Sequence, residues 1–227
     1  MIPSVVQELK FVIPALSASA LTAGLEGLLL PDSQHPQNDV ITVYFDTRDL
    51  RALREKLDGE SVKSKVRLRW YEVGGAAVAT GPAFLEVKER EGGVRWKRRV
   101  EVPLDIAPWR ARPLEHPAWI DLPRRLAPTH FEVEPGLRPT AAVRYRRRRF
   151  VERATGSRVA FDAGIHATAC HRGLLPGVVP VRLREGILEV KTSAELPPAL
   201  AFLIAAAGGR RQAVSKYAAC LGLHGGL

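Results

Sequence analysis

The chain has 227 residues, 46% of them hydrophobic and 26% charged, which is the composition of a soluble globular protein and excludes a disordered one. Its formal charge of +10 calls for an anionic partner: nucleic acid, an acidic membrane surface or phosphate-rich small molecules. Two cysteines, Cys170 and Cys220, give neither a metal-ligand spacing nor a disulfide framework, and no apolar run reaches the ~20 residues of a membrane-spanning helix.

The first residues, Met1 to Gln7, carry neither a basic nor a long apolar segment, so a cytoplasmic location is expected. Glu8 to Ile13 reads as a strand with Glu8 and Lys10 on one face and Leu9, Phe11 and Ile13 on the other; Pro14 ends it. Ser17 to Leu30 reads as a helix with Leu21, Leu25, Leu28 and Leu29 inward, and Pro31 to Asn38 as a loop. A β-branched strand follows over Val40 to Phe45, closed by Asp46-Thr47. Leu50, Leu53 and Leu57 then recur at helical spacing, and Asp58-Gly59 stops that helix.

The segment Lys65 to Tyr71 alternates most clearly: Lys65, Arg67, Arg69 and Tyr71 share one face, and Val66, Leu68 and Trp70 the other. Gly74-Gly75 opens a small-residue loop that runs to about Pro82. Phe84 to Lys88 is a strand, Gly92-Gly93 a turn, and the next strand puts Arg95, Lys97 and Arg99 on one face. Pro103 to Pro139 is a proline-rich helical insertion whose Trp109 and Trp119 are expected to pack on the outer wall.

Thr140 to Val151 is a strand with Tyr145, Arg147 and Arg149 on one face and Arg144, Arg146 and Arg148 on the other. Thr155-Gly156-Ser157 makes a hairpin turn, and the return strand places Arg158, Ala160 and Asp162 together. Ile187 to Lys191 is the last clear strand. Pro197 to Ala207 is an apolar helix, and Ser215-Lys216-Tyr217 leads into a short terminal one. No composition break marks a second domain, so residues 1–227 are read as one.

Three acid–x–base pairs recur on strand faces: Glu8/Lys10, Glu86/Lys88 and Glu189/Lys191. With Lys65, Arg67, Arg69, Lys97, Arg147 and Arg158 they predict a closed barrel with a strongly positive lining and a few carboxylates. Lys and Arg donors hold phosphate oxygens, Arg bidentately, and Glu8, Glu86 and Glu189 can hold a hard divalent cation, Mg²⁺ or Mn²⁺, that bridges to them. Positioning and charge neutralisation carry most of phosphoryl transfer, so this lining suits it. A solvated face with exposed ion pairs explains any single pair but not the ordered set. There is no G-x-x-x-x-G-K-[ST] loop, and the six histidines show no metal spacing. The basic residues lie within strands without an aromatic stacking platform, which argues against nucleic acid.

The segments Glu8-Leu9-Lys10-Phe11, Tyr44-Phe45-Asp46-Thr47, Lys65-Val66-Arg67-Leu68-Arg69, Phe84-Leu85-Glu86-Val87-Lys88, Arg144-Tyr145-Arg146-Arg147, Ile187-Leu188-Glu189-Val190-Lys191 and Ser215-Lys216-Tyr217 follow one another in the order of the VTC domain. From about residue 8 to 222 the chain resembles this catalytic domain of vacuolar transporter chaperone polyphosphate polymerases, within the triphosphate tunnel metalloenzyme (CYTH-like) superfamily. The resemblance implies an α+β fold with a closed eight-stranded antiparallel tunnel, helices outside it, and a divalent metal, Mn²⁺ or Mg²⁺. It implies that Lys10, Arg67, Arg69, Lys88, Lys97, Arg147 and Arg158 are phosphate ligands, with Arg144 as an alternative to the last two and Lys191 beside them. Glu189 looks like the metal ligand and Lys216 like the late tunnel lysine.

Lys10, Arg67, Arg69, Glu189 and Lys216 are thus the expected catalytic set. ATP or another triphosphate and polyphosphate or pyrophosphate are the expected partners. The family's second lysine, three residues before Lys216, is replaced by Ala213, with Arg211 nearby. The eukaryotic proteins' SPX and membrane domains are not in this chain, so membrane coupling is expected from a separate partner. Polymer synthesis is the first expectation; a triphosphatase and a non-catalytic polyphosphate-binding module are the alternatives. A tunnel blocked at one end would favour hydrolysis.

Overall fold

A computed structural model describes residues 7–72, 82–92, 94–193 and 195–223. The Gly74-Gly75 loop, Gly93 of the predicted turn and the first six residues lie outside the described residues, as does the side chain of Arg95.

In chain order the elements are β1 (Gln7–Ile13), α1 (Ala18–Leu28), β2 (Leu30–Pro31), β3 (Gln37–Asp46), α2 (Arg51–Leu57), β4 (Lys63–Glu72), β5 (Ala83–Glu91) and β6 (Val94–Val102). Then come α3 (Ala107–Arg110), α4 (Leu122–Leu126), β7 (Arg138–Val151), β8 (Arg158–Cys170), β9 (Gly186–Thr192), α5 (Pro198–Ala206), β10 (Arg210–Arg211) and α6 (Lys216–Cys220). The order in the sheet is β10-β1-β9-β8-β7-β3-β4-β5-β6, with β2 added on β7 and every pairing antiparallel.

The class is α+β as expected, but the barrel is corrected in two respects. Among the described residues the sheet has ten strands, because two short ones, β2 and β10, join the eight long ones. Among the described residues hydrogen bonds do not close it: β10 pairs with one edge of β1, and β6 ends the sheet on the other side. It nevertheless curls round. Lys10 on β1 lies near enough to Lys65 and Lys88, on β4 and β5, to disfavour their charged forms, although those strands are far from β1 in the sheet.

Period-2 alternation sorts side chains between the two faces of this curl. Outward, Phe11, Ile13, Phe150, Phe161, Leu188 and Val190 pack under α1 and α5 through Leu21, Leu25, Leu200 and Ile204. On a second outer patch Ile41, Val43, Phe45, Leu68 and Leu85 meet the 103–139 insertion, where Trp119 is buried with its ring 6.1 Å from Phe45 and 4.7 Å from Trp109. Arg144 ties the insertion's neighbourhood to the outer face through Asp39 (2.8 Å) and buried Glu72 (3.2 Å), and Arg110 of α3 reaches the same glutamate at 2.9 Å. Leu28, expected inward, is 43% exposed and Leu57 is 45% exposed, each being the last residue of its helix, α1 or α2.

Inward, at one end of the curl, Val12, Val40, Tyr44, Val143 and Ile187 pack with Leu53 of α2 and with Tyr217 to Leu221 of α6. Tyr217 stacks on Tyr44 at 4.8 Å. Buried Asp46 positions α2 here by accepting from the backbone N–H groups of Ala52 (2.9 Å) and Leu53 (3.0 Å). This end of the concave space is therefore filled with apolar side chains, and the rest of the concave face is mostly charged, with Tyr71 and Phe84 among the charges. No helix among the described residues is long and apolar enough to cross a membrane.

Candidate active site

The acid–x–base motif is self-complementary in an antiparallel pair. Aligning β1 with β9 sets Glu8 opposite Lys191 and Lys10 opposite Glu189, so each acid meets a base on the same face. The β4–β5 register does something different. It sets Arg67 opposite Glu86 but Lys65 opposite Lys88, and Lys88 opposite Lys97 on β6. Like charges directly opposite one another are unfavourable, so this row of three lysines works against the fold.

Two ionic clusters occupy the concave face. In the first, fully buried Glu86 accepts from Arg67 Nε at 2.6 Å and is approached by Lys97 at 3.1 Å, Arg99 at 3.7 Å and Arg69 at 3.8 Å. Burial pushes the Glu86 carboxyl up, but Arg67, Arg69 and Lys97 outweigh it and hold it well below the usual carboxylate range. One carboxylate is thus shared among four cations.

In the second cluster Arg147 donates to Asp162 through Nε (2.6 Å) and Nη2 (2.7 Å), and to Glu189 at 3.0 Å. Lys216 Nζ lies 2.7 Å from Asp162 and 2.9 Å from Glu189, and Lys10 Nζ stands 3.5 Å from Glu189. Burial disfavours both carboxylates' charged forms; for Asp162 first Arg147 and then Lys216, and for Glu189 first Lys216 and then Arg147, keep the acid ionised. Two carboxylates here face three cations.

Between the clusters lie cations that these carboxylates do not satisfy. Burial, with Arg67 and Lys10 nearby, pushes Lys88 down to about 7 against the pull of Glu8. Burial and the neighbours Lys56, Lys10 and Lys63 push Lys65 down to about 8.

The structure brings together Lys10, Arg147, Glu189 and Lys216 in one cluster, and Arg67, Arg69 and Lys97 in the other with Lys88 alongside. Arg158 and Lys191 are exposed and opposite one another in the β8–β9 register, at the rim. The three carboxylates expected to be able to hold a metal have separate partners. Glu8, Glu86 and Glu189 do not assemble, because Glu86 is held by arginines on β4 and β6 and Glu8 sits level with Lys191; no group of three acidic, His or Cys side chains suited to a metal exists among the described residues. Asp162, absent from the predicted site, is the carboxylate that joins Glu189. The turn at Thr155-Gly156-Ser157 held the signal: counting outward from the Val151–Arg158 pair brings Arg147 level with Asp162.

The sequence matches the VTC domain family over residues 3–223. The chain belongs to this family. No match is found among curated proteins. A structure of a "putative adenylate cyclase" from Bacillus halodurans superposes with a TM-score of 0.52 at 12% identity, covering 92% of this chain and 92% of that one. A second, of the same description from Vibrio parahaemolyticus, gives 0.48 at 13% identity over 92% and 94%. At such identity the Bacillus likeness shows the fold alone. This VTC domain shares that fold, and its concave face is basic.

Proposed function

We propose that this VTC domain, acting as a single unit, is a metal-dependent phosphotransferase. It holds triphosphate or polyphosphate along the concave face and passes the γ-phosphoryl group of ATP to a polyphosphate chain. The charge surplus supports this reading: both buried clusters hold more cations than carboxylates, and an anionic guest supplies what is missing. Lys10, Arg67, Arg69, Arg147 and Lys216 bind and orient the phosphates, Lys88 and Lys97 extend the track, and Arg158 and Lys191 receive anions at the rim.

Glu189, with Asp162 beside it, suits Mg²⁺ or Mn²⁺. Both carboxylates lie within 3 Å of Lys216 Nζ, and a hard cation that takes one or two protein carboxylates draws its remaining ligands from water and phosphate. When bound, the metal would supply positive charge that helps neutralise the charge developing in transfer. Lys10 and Arg147 hold the phosphate beside these carboxylates.

One observation favours a second reading, hydrolysis of triphosphate with water as acceptor: α6 and its apolar neighbours fill one end of the concave space. Incubation with ATP and Mn²⁺ or Mg²⁺, followed by separation of polyphosphate from free phosphate, decides between them. Polyphosphate formation abolished by Glu189→Ala is the expected result. Free phosphate alone would support the triphosphatase, and no product of either kind would overturn the enzyme in favour of a binding module.

A further inference from the structure

We infer that Tyr71, Phe84, Arg99 and Arg149 form a nucleoside platform beside the phosphate site, so that a nucleoside triphosphate enters phosphates first and leaves its base on these side chains. This rests on the phosphate-binding reading above and names the substrate class of that site.

Position comes first. Tyr217 of α6 stacks on Tyr44, which is level with Arg67 in the β3–β4 register. Along the same face of β4, Arg69 and then Tyr71 lie progressively farther from α6, at roughly 6.6 Å per two residues. Phe84 is opposite Arg69 on β5. The platform thus begins one step beyond Arg67, on the side away from α6, with Tyr71 opposite Val40 at the edge of the apolar cluster. Phosphates drawn towards Arg67, Arg147 and Lys216 leave the nucleoside at this step.

The geometry suits a flat ring. Tyr71 and Phe84 meet edge to face, with centroids 6.1 Å apart. The Arg99 guanidinium lies 3.7 Å from the Phe84 centroid and 5.8 Å from that of Tyr71, and Arg149 stands 5.7 Å from Tyr71. Asn38 Oδ1 accepts from Arg149 at 2.9 Å and holds it in place. Aromatic and guanidinium faces stack on any base, whereas inorganic phosphate gains nothing from an aromatic ring. The local charge also changes character: Glu101, opposite Phe84 on β6, repels phosphate but accepts hydrogen bonds from a ribose hydroxyl or an exocyclic amine.

The test compares ATP with tripolyphosphate by titration calorimetry on wild type, Tyr71→Ala and Phe84→Leu. Loss of stacking should lower the preference for ATP, read as the ratio of the two dissociation constants, about tenfold. Equal weakening of both ligands would overturn the inference, since a role in packing or in phosphate binding acts on both. Saturation-transfer NMR on wild type needs no variant to fold. Strong transfer to the adenine H2 and H8 protons is expected, and base protons left unsaturated in bound ATP would overturn the platform. Failure of tripolyphosphate to bind wild type would instead overturn the phosphate reading underneath.

Discussion

Asp162 is fully buried and balances Arg147 and Lys216 at once. Asp162→Ala would leave both cations relying on Glu189 and should lower stability by about 3–5 kcal/mol, measured by urea unfolding. The two depressed lysines make a prediction of the opposite kind. Unbound, Lys88 titrates at about 7 and Lys65 at about 8, against 10.5 for an ordinary lysine. Between those values the unfolded chain binds more protons than the folded one, so these lysines make stability rise as pH climbs from about 7 towards 10.5. A bound polyanion favours their charged forms, so binding near pH 8 takes up protons and weakens as pH rises. Calorimetry in buffers of different ionisation enthalpy should show this uptake, reduced in Lys88→Met; proton release would contradict it. Alternation in the sequence assigned these lysines to the right face. It could not show their shifts, which come first from burial inside the curl, with Lys10 adding to them from the other end of the sheet.

At the scale of elements, what alternation could reveal was legible and what close approach decides was not. The eight long strands follow from period-2 patterning, and the inner and outer arginines of β7 separate as expected: Arg147 turns to Asp162, while Arg144 and Arg146 pair with Asp39 and Arg148 with Glu26 of α1. The two-residue strands β2 and β10 are too short to show any period. The five-residue α6 gives no sign in sequence that it lies inside the curl, because its burial depends on Tyr44 and Leu53, far away in the chain. Gly186 is a similar case. It opens β9, and a Cβ there would come within 2.4 Å of the Phe161 ring. Gly186→Ala should therefore cost about 1–3 kcal/mol in chemical denaturation, although the residue takes no part in the ionic clusters. An unchanged midpoint would mean that β8 and β9 do not pack as described.

For the molecule as a whole, the family register made the basic concave face legible, but not how its edges meet. The curl brings Lys10 of β1 towards Lys65 and Lys88 on β4 and β5, far from it in the strand order, and no local pattern encodes that approach. The claim that matters most is that the +10 charge is organised around the concave face and not spread over a basic surface. Neighbouring arginines on β7 test it with little change in composition. Arg147 points inward and is mostly buried, whereas Arg146 points outward with its side chain 60% exposed. The most direct measurement is the affinity for tripolyphosphate of wild type, Arg147→Ala and Arg146→Ala at one salt concentration. Loss of a charge-assisted contact should weaken Arg147→Ala binding at least about tenfold, with Arg146→Ala staying within about twofold of wild type. Equal losses in the two variants, or no binding by wild type, would contradict the account.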